Sequence, residues 1–292
     1  MEKLKEKKRI LIIGSSGMLG HQVYKCFKKK EHKYDIWDIT RSMLTSSESI
    51  ILDVTNRQKL EQILHQIKPN YVINCVGILI SKSNSDISNA IYVNSYLPHF
   101  LAKTCSQINS KLIHISTDCV FSGLEGQYKE NDEKDGKDNY AKTKALGEVD
   151  YGNHLTIRTS IIGPELKEKG EGLLQWFLSQ NGTIQGYKKS IWSGVTTLEL
   201  ARFIEATLLD NLTGIYHVTN NTSISKYELL RLFEKFFDKK ISINAIPGKA
   251  IDKSFIDTKQ KISYKIPSYE VMVGEMADDM KANLPSYKHY SL

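Results

Sequence analysis

The chain has 292 residues, 40% apolar and 25% charged. At roughly 100 to 200 residues per domain it is one large α/β domain or two closely joined ones, and its composition excludes disordered, collagenous and disulfide-scaffold classes. Forty basic against 33 acidic residues give a net charge of +7, of which Met1 to Arg9, with five basic and two acidic residues, supplies +3. The remaining +4 forms no basic stripe interleaved with aromatics, which argues against nucleic acid and for attraction of small anions such as phosphates. No apolar run approaches the roughly 18 residues that span a bilayer. The run Ile10 to Ile13 stops at Gly14, so neither a membrane partner nor export is expected and the expected location is the cytoplasm. Cys26, Cys75, Cys105 and Cys119 are scattered without ligand spacing; they read as reduced thiols, with no metal site.

In chain order, short apolar runs alternate with helical patterns. Strands are predicted at Arg9 to Ile13, Tyr34 to Asp38, Ser49 to Leu52, Tyr71 to Asn74 and Lys111 to Ile115. Helices are predicted at Met18 to Lys30, Arg57 to Ile67 and Ser88 to Ser106, the last kinked by Pro98. A sixth strand falls at about Leu155 to Arg158. Parallel neighbours need crossover connections that are nearly always right-handed, so this alternation predicts a Rossmann-type, doubly wound parallel sheet. From Ile161 the rhythm changes. A glycine-rich loop (Gly163 to Gly172), a helix around Leu173 to Leu178 and more glycine up to Gly194 come first. A helix at Thr197 to Leu209, a strand at Gly214 to Val218, a helix at Lys226 to Phe237 and a last helix near Tyr269 to Met280 follow. The expected class is α/β. Residues 1–160 form a dinucleotide-binding domain to which 195–215 return, and 161–194 with 216–292 form a smaller, discontinuous substrate-binding lid.

Gly14-Ser15-Ser16-Gly17-Met18-Leu19-Gly20 follows the first strand and opens the first helix. Glycines there let the backbone turn tightly and approach a pyrophosphate, whose charge meets the N–H groups and dipole of the helix N-terminus. Asp38 stands 18 residues after Gly20, near the roughly 20-residue spacing at which an acid takes the adenosine ribose hydroxyls of NAD. Arg41, three residues on, is placed to pair with the 2′-phosphate of NADP. The cofactor is NADPH or NADH, with NADPH preferred because Thr40-Arg41-Ser42 offers hydroxyl and guanidinium donors together. Asp53 suits the adenine amino group or, equally, a turn before Asn56.

Tyr140 and Lys144 are four apart and so share a helix face. A phenol with a reference pKa of about 10 is a poor acid, but an adjacent ammonium lowers that value and allows proton donation to a carbonyl oxygen. The pattern alone is weak, since Tyr24 and Lys28 repeat it on the first helix. Position separates the two pairs: Tyr140 comes shortly after the fifth strand and its loop, at the carboxyl end of the sheet where open α/β folds bind ligands. Thr117 in that loop offers a hydroxyl to the substrate carbonyl, and Asp118 fixes the loop.

The glycine loop, Ser116-Thr117-Asp118-Cys119-Val120-Phe121-Ser122-Gly123, Tyr140-x-x-x-Lys144 with Gly147-Glu148 behind it, and Arg158-Thr159-Ser160 resemble an extended short-chain dehydrogenase/reductase. More closely, the chain from Ile10 to about Phe237 is similar to the dTDP-4-dehydrorhamnose reductase family of nucleotide-sugar reductases. The resemblance implies hydride transfer from NADPH or NADH to the 4-keto carbon of a nucleotide-linked 6-deoxyhexose. Tyr140 would be the proton donor, Lys144 its partner and a ligand of the nicotinamide ribose, and Thr117 the holder of the keto oxygen. Val54, Asn74, Cys75, Val76, Gly77, Asn94 and Arg158 would lie along the cofactor, and Asp118, Val120, Trp192 and Lys253 along the substrate. Lys188, Lys189 and Lys253 are candidates for the substrate diphosphate, Trp192 for a base or sugar ring. The family also implies a homodimer.

Departures from the family pattern are Cys119 in place of a tyrosine, Ala141 after Tyr140, and the loop Tyr187 to Thr197. They leave open dTDP, UDP or GDP as the nucleotide, and the sugar. Two alternatives share the scaffold: a nucleotide-sugar epimerase or dehydratase, and a non-catalytic NADP-binding regulatory subunit, against which the intact Thr117, Tyr140 and Lys144 argue.

Overall fold

Isoleucine- and valine-rich runs, stiff at the β-carbon and suited to a pleated surface, become strands wherever a glycine or polar turn bounds them. A computed structural model of the chain describes residues 7–42 and 44–290; the first six residues of the basic start lie outside them. In chain order the elements are β1 (Lys8–Ile13), α1 (Gly20–Lys28), β2 (Tyr34–Thr40), β3 (Ile50–Ile51), α2 (Arg57–Ile67), β4 (Tyr71–Asn74), α3 (Ile80–Ser85), α4 (Ile87–Ala90), a π-helical segment Ile91–Tyr96, α5 (Leu97–Gln107), β5 (Lys111–Thr117), α6 (Asn139–Leu146) and β6 (Leu155–Thr159). The second half adds β7 (Ile161–Ile162), α7 (Leu173–Ser179), β8 (Thr183–Tyr187), β9 (Ser190–Trp192), β10 (Val195–Thr196), α8 (Thr197–Asp210), β11 (Gly214–His217), β12 (Ile224–Ser225), α9 (Lys226–Phe236), β13 (Ser242–Ile246), β14 (Ile251–Asp252) and α10 (Tyr269–Ala282).

Seven strands form one sheet in the order β11-β6-β5-β4-β1-β2-β3, and every pairing in it is parallel. After β3 the chain returns across the sheet to β4 on the other side of β1. The crevice between the carboxyl ends of β1 and β4 is therefore the topological switch point where such folds bind ligands. Alternation along β1 sorts its side chains: Ile10 and Ile12 join the core under α7, α8, α9 and α10, Leu11 and Ile13 the core under α2 and α5. The first core runs without a break from the sheet to Phe177, Phe233 and Met276, so the later segments share the sheet's apolar interior. They also form a three-stranded sheet β12-β9-β14 and the pair β13-β8.

Two expectations shift at the backbone. Met18 and Leu19 stay in the loop, and α1 begins at Gly20 because a side chain there would strike the Gly14 carbonyl: a Cβ would lie 2.0 Å from its oxygen. The bend expected at Pro98 is absorbed upstream by the π-helical turn, where the Leu97 N–H donates to Tyr92 O, five residues back. Pro98 then sits in the first turn of α5, where its missing N–H is no loss.

The chain's end returns to α1. His21 Nδ1 lies 2.9 Å from Gly17 O and Nε2 2.9 Å from Tyr287 Oη. A carbonyl only accepts, so Nδ1 carries the proton, Nε2 accepts from the Tyr287 hydroxyl, and Gln22 Nε2 donates to that same oxygen at 2.9 Å. Burial pushes the His21 imidazole down to about 4.

Candidate active site

The phosphate loop is built by close approach. Gly14 has φ +88°, and a Cβ on it would sit 2.8 Å from Val76 Cγ2; only glycine meets both demands. Gly14 N and Ser15 N donate to Ile39 O, and Gly17 N to Gly14 O. Among the described residues the N–H groups of Ser16 and Met18 have no acceptor, which leaves donors at a helix N-terminus for a pyrophosphate. Val76, with its N–H on Asn74 Oδ1, lines the same crevice.

At the end of β2 the Asp38 carboxylate is 3% exposed and already taken. Ser15 Oγ and Thr45 Oγ1 each donate to Oδ2 at 2.5 Å, and Ser49 Oγ to Oδ1 at 3.1 Å. The aspartate ties the phosphate loop to residues 45–49, and Arg41 stands exposed beside it. Asp53 closes its own turn, accepting from Thr55 N at 2.9 Å and Thr55 Oγ1 at 2.7 Å, and the Val54 side chain packs into the core.

Thr117 ends β5, and Tyr140 and Lys144 ride on α6, whose start is fixed by Asp138 accepting from Ala141 N at 2.7 Å. Thr117 Oγ1 donates to Asp118 Oδ1 at 3.1 Å and accepts from Cys119 N. The Tyr140 phenol lies near enough to the Thr117 hydroxyl to feel it. Lys144 is buried with Nζ 2.7 Å from Ile115 O. Burial brings its ammonium down to about 8, against the pull of Glu148.

The phenol moves the opposite way from the expectation: burial, then the neighbouring Cys119 and Asp118, push Tyr140 well above its usual range, with the nearby Thr117 hydroxyl opposing. That direction suits a proton donor, because the proton stays on until an alkoxide forms beside it. Cys119 is likewise pushed up, to about 12, by burial and then Asp118, and is an unreactive thiol.

Register also places Arg158. Ser116, Arg158 and His217 are paired across β5, β6 and β11 and so project from one sheet face. Arg158 is wholly buried. Its Nε and Nη2 bind Glu148 Oε1 and Oε2 at 2.8 and 2.7 Å, and its Nη1 lies 2.8 Å from His217 Nε2. Ser116 Oγ completes the site on Glu148 at 2.7 Å. Each nitrogen of the guanidinium is bonded within the protein.

Asn94 is also internal. It takes Ile78 N at 2.8 Å and gives to Ile78 O and Thr143 Oγ1, which joins the loop after β4 to the catalytic helix. Gly77 lies against it, and Cys75, raised to about 12 by burial, precedes it. Val120 is buried with Phe121, Tyr128 and Phe255, and Trp192 is 3% exposed against Tyr269. Lys253 is half-buried beside Cys119, whereas Lys188 and Lys189 are exposed. Given no role from the sequence are Glu148, which meets Arg158 from the loop after α6, and Lys226, which is placed by the pairing of β12 with β9. Among the described residues no His, Cys, Asp and Glu cluster could hold a metal, and no helix is long and apolar enough to cross a membrane.

A glycine loop at the end of β1 and Thr117, Tyr140 and Lys144 at the carboxyl end of a doubly wound sheet are the parts of a short-chain dehydrogenase/reductase. The family model described as RmlD substrate binding domain matches residues 8–276, and the chain belongs to that family. It is 27% identical over 269 residues to dTDP-4-dehydrorhamnose reductase of Aggregatibacter actinomycetemcomitans, covering 87% of each chain. To the spore coat polysaccharide biosynthesis protein SpsK of Bacillus subtilis (strain 168) it is 26% identical over 229 residues, 75% of this chain and 76% of that one. Its fold is that of the dTDP-4-dehydrorhamnose reductase of Bacillus anthracis solved in complex with NADP, with a TM-score of 0.80 at 22% identity, over 94% of this chain and 100% of that one.

Proposed function

We infer that this protein is an NAD(P)H-dependent reductase of the 4-keto group of a nucleotide-activated 4-keto-6-deoxyhexose, serving deoxysugar and surface-polysaccharide synthesis. The observation that carries the reading is the Tyr140 phenol set near the Thr117 hydroxyl, with Lys144 buried one helix turn on, at the carboxyl end of the sheet that carries the glycine loop. The reductase and spore-coat relatives support the substrate class.

The residues fit a dinucleotide. Gly14, Gly17 and Gly20 clear space for the pyrophosphate, Ser16 and Met18 offer N–H donors, and Lys144 retains donors beyond its bond to Ile115 for the nicotinamide ribose. When bound, the cofactor supplies the hydride. Thr117 holds the keto oxygen, the phenol of Tyr140 donates its proton to that oxygen as C4 accepts the hydride, and the Lys144 ammonium stabilises the phenolate left behind. NADPH is the preferred cofactor on this reading, because Asp38 is occupied by hydroxyls while Arg41 is exposed beside the phosphate loop. The division into a cofactor-binding part (1–160 with 195–215) and a substrate-binding part (161–194 with 216–292) belongs to the same proposal. So do a cytoplasmic location, which the scattered free cysteines favour, and a homodimer, for which the family resemblance is the support.

The test is consumption of NADPH and NADH by purified protein offered dTDP-, UDP- and GDP-linked 4-keto-6-deoxy sugars, each generated in place by its dehydratase. Consumption with one donor is expected and identifies the nucleotide. A folded protein that binds cofactor and reduces none of the three would overturn the reading.

A further inference from the structure

We propose that Lys226 and Lys253 form a cation pair, reaching in from the substrate-binding side, that holds the diphosphate of the nucleotide sugar against the Thr117–Cys119 turn. The proposal rests on the nucleotide-sugar reading above. Pairing of β12 with β9 sets Ile224 opposite Trp192 and Ser225 opposite Ile191. A capping box between Ser225 and Glu228 then fixes where α9 begins, so Lys226 is its first residue. The Lys226 ammonium lies 5.7 Å from the centroid of the Trp192 ring. That indole cannot move away: Tyr269 backs it at a centroid distance of 5.6 Å, and it lies so close to Gly194 that a Cβ there would be 2.6 Å from its Cζ2. Trp192 is thus a platform that holds the lysine. The lysine's charge is felt at Asp118 and Cys119, the two residues after the catalytic threonine.

Lys253 arrives at the same turn from the end of β14. Gly123 makes room for it, since a Cβ there would lie 2.9 Å from Lys253 Cγ, and its charge acts on the Cys119 thiol. Among the described residues neither ammonium has a hydrogen bond or an ion pair. Both are half-buried, whereas the fully buried lysines are bonded: Lys144 to Ile115 O and Lys111 to Asn211 Oδ1. Burial lowers the Lys226 ammonium, and Asp118 pulls the other way. Two cations converging on a water-poor turn with one carboxylate between them leave an excess of positive charge, and a diphosphate supplies the compensating anion.

The test measures binding of dTDP, UDP and GDP, each alone, by calorimetry to the wild-type protein and to Lys226→Met, Lys226→Arg and Lys253→Met, with an NADPH titration of each. For the diphosphate that the wild type prefers, each methionine variant is expected to bind about tenfold or more weakly. Lys226→Arg should recover most of the loss, and NADPH affinity should stay within about twofold throughout. The matching nucleoside without phosphates should bind all four proteins equally. A wild type that binds a nucleoside diphosphate with the methionine variants unchanged overturns the cation pair alone. A wild type that binds NADPH but none of the three overturns the nucleotide-sugar reading and the pair with it.

Discussion

Arg158 and Lys144 are buried cations that both feel Glu148, and their surroundings are opposite. Arg158 is clasped by both oxygens of Glu148, by His217 and by the Glu130 carbonyl, and lies over the Phe121 ring at 5.0 Å. Lys144 has one bond, to Ile115 O, feels Glu148 only at a distance, and is brought down to about 8 by burial. A buried cation with every nitrogen bonded is part of the scaffold; one with donors to spare is available to a ligand. The same distinction sets apart Asp38, taken by three hydroxyls, from Arg41, and the two unpaired lysines at the turn from the paired ones elsewhere.

The sharpest way to break this contrast is at Arg158. Arg158→Leu leaves the Glu148 carboxylate buried with only Lys134 and Ser116, and removal of one partner of a buried pair costs about 3–5 kcal/mol. Unfolding by urea is expected to show that loss, with Arg158→Met/Glu148→Leu recovering much of it. A single variant as stable as the wild type would mean that the pair is not structural.

His21 offers a second check, through acid stability. Its imidazole is held near 4 in the fold against about 6.5 in an unfolded chain. The unfolded state therefore binds more protons between those values, and stability rises with pH across that window and is lost on acidification. The size is on the order of 3 kcal/mol. His217, pushed down by burial and then by Arg158, adds to it in the same direction. Urea melts between pH 7 and pH 5 should show the slope, and His21→Gln should flatten it; an unchanged slope would remove the histidine from the account.

The smallest expected effect is at Arg41. Arg41→Ala should weaken NADPH about tenfold, ~1.4 kcal/mol, and leave NADH within about twofold. Equal losses would count against the occupied Asp38 as the reason for the preference.

The local parts of the site were legible in the sequence. Gly14 to Gly20, Thr117 and the Tyr140–Lys144 pair depend on spacing within one loop or one helix turn, and the seven-stranded sheet on alternation of short apolar runs with helical ones. What was not legible depends on which way a side chain points across distant pairings. Arg158 sits at the end of a strand near the crevice, but its position opposite Ser116 and His217 turns it into the sheet's other face. Asp38 has the spacing of a ribose ligand, and only the fold of residues 45–49 brings the hydroxyls that occupy it. Lys226 reads as the start of an amphipathic helix until β12 is laid beside β9. The rise of the Tyr140 phenol, where spacing to Lys144 predicts a fall, has the same origin: burial and the Cys119–Asp118 turn outweigh a lysine that is bonded elsewhere.

The most direct test of the account is Tyr140→Phe, measured for cofactor affinity and for turnover in one preparation. The phenol is assigned only the proton, so NADPH should bind within about twofold of wild type while kcat falls about 100-fold or more, the scale of general acid catalysis. Turnover within tenfold of wild type, with cofactor binding intact, would contradict the assignment of Tyr140 as the proton donor.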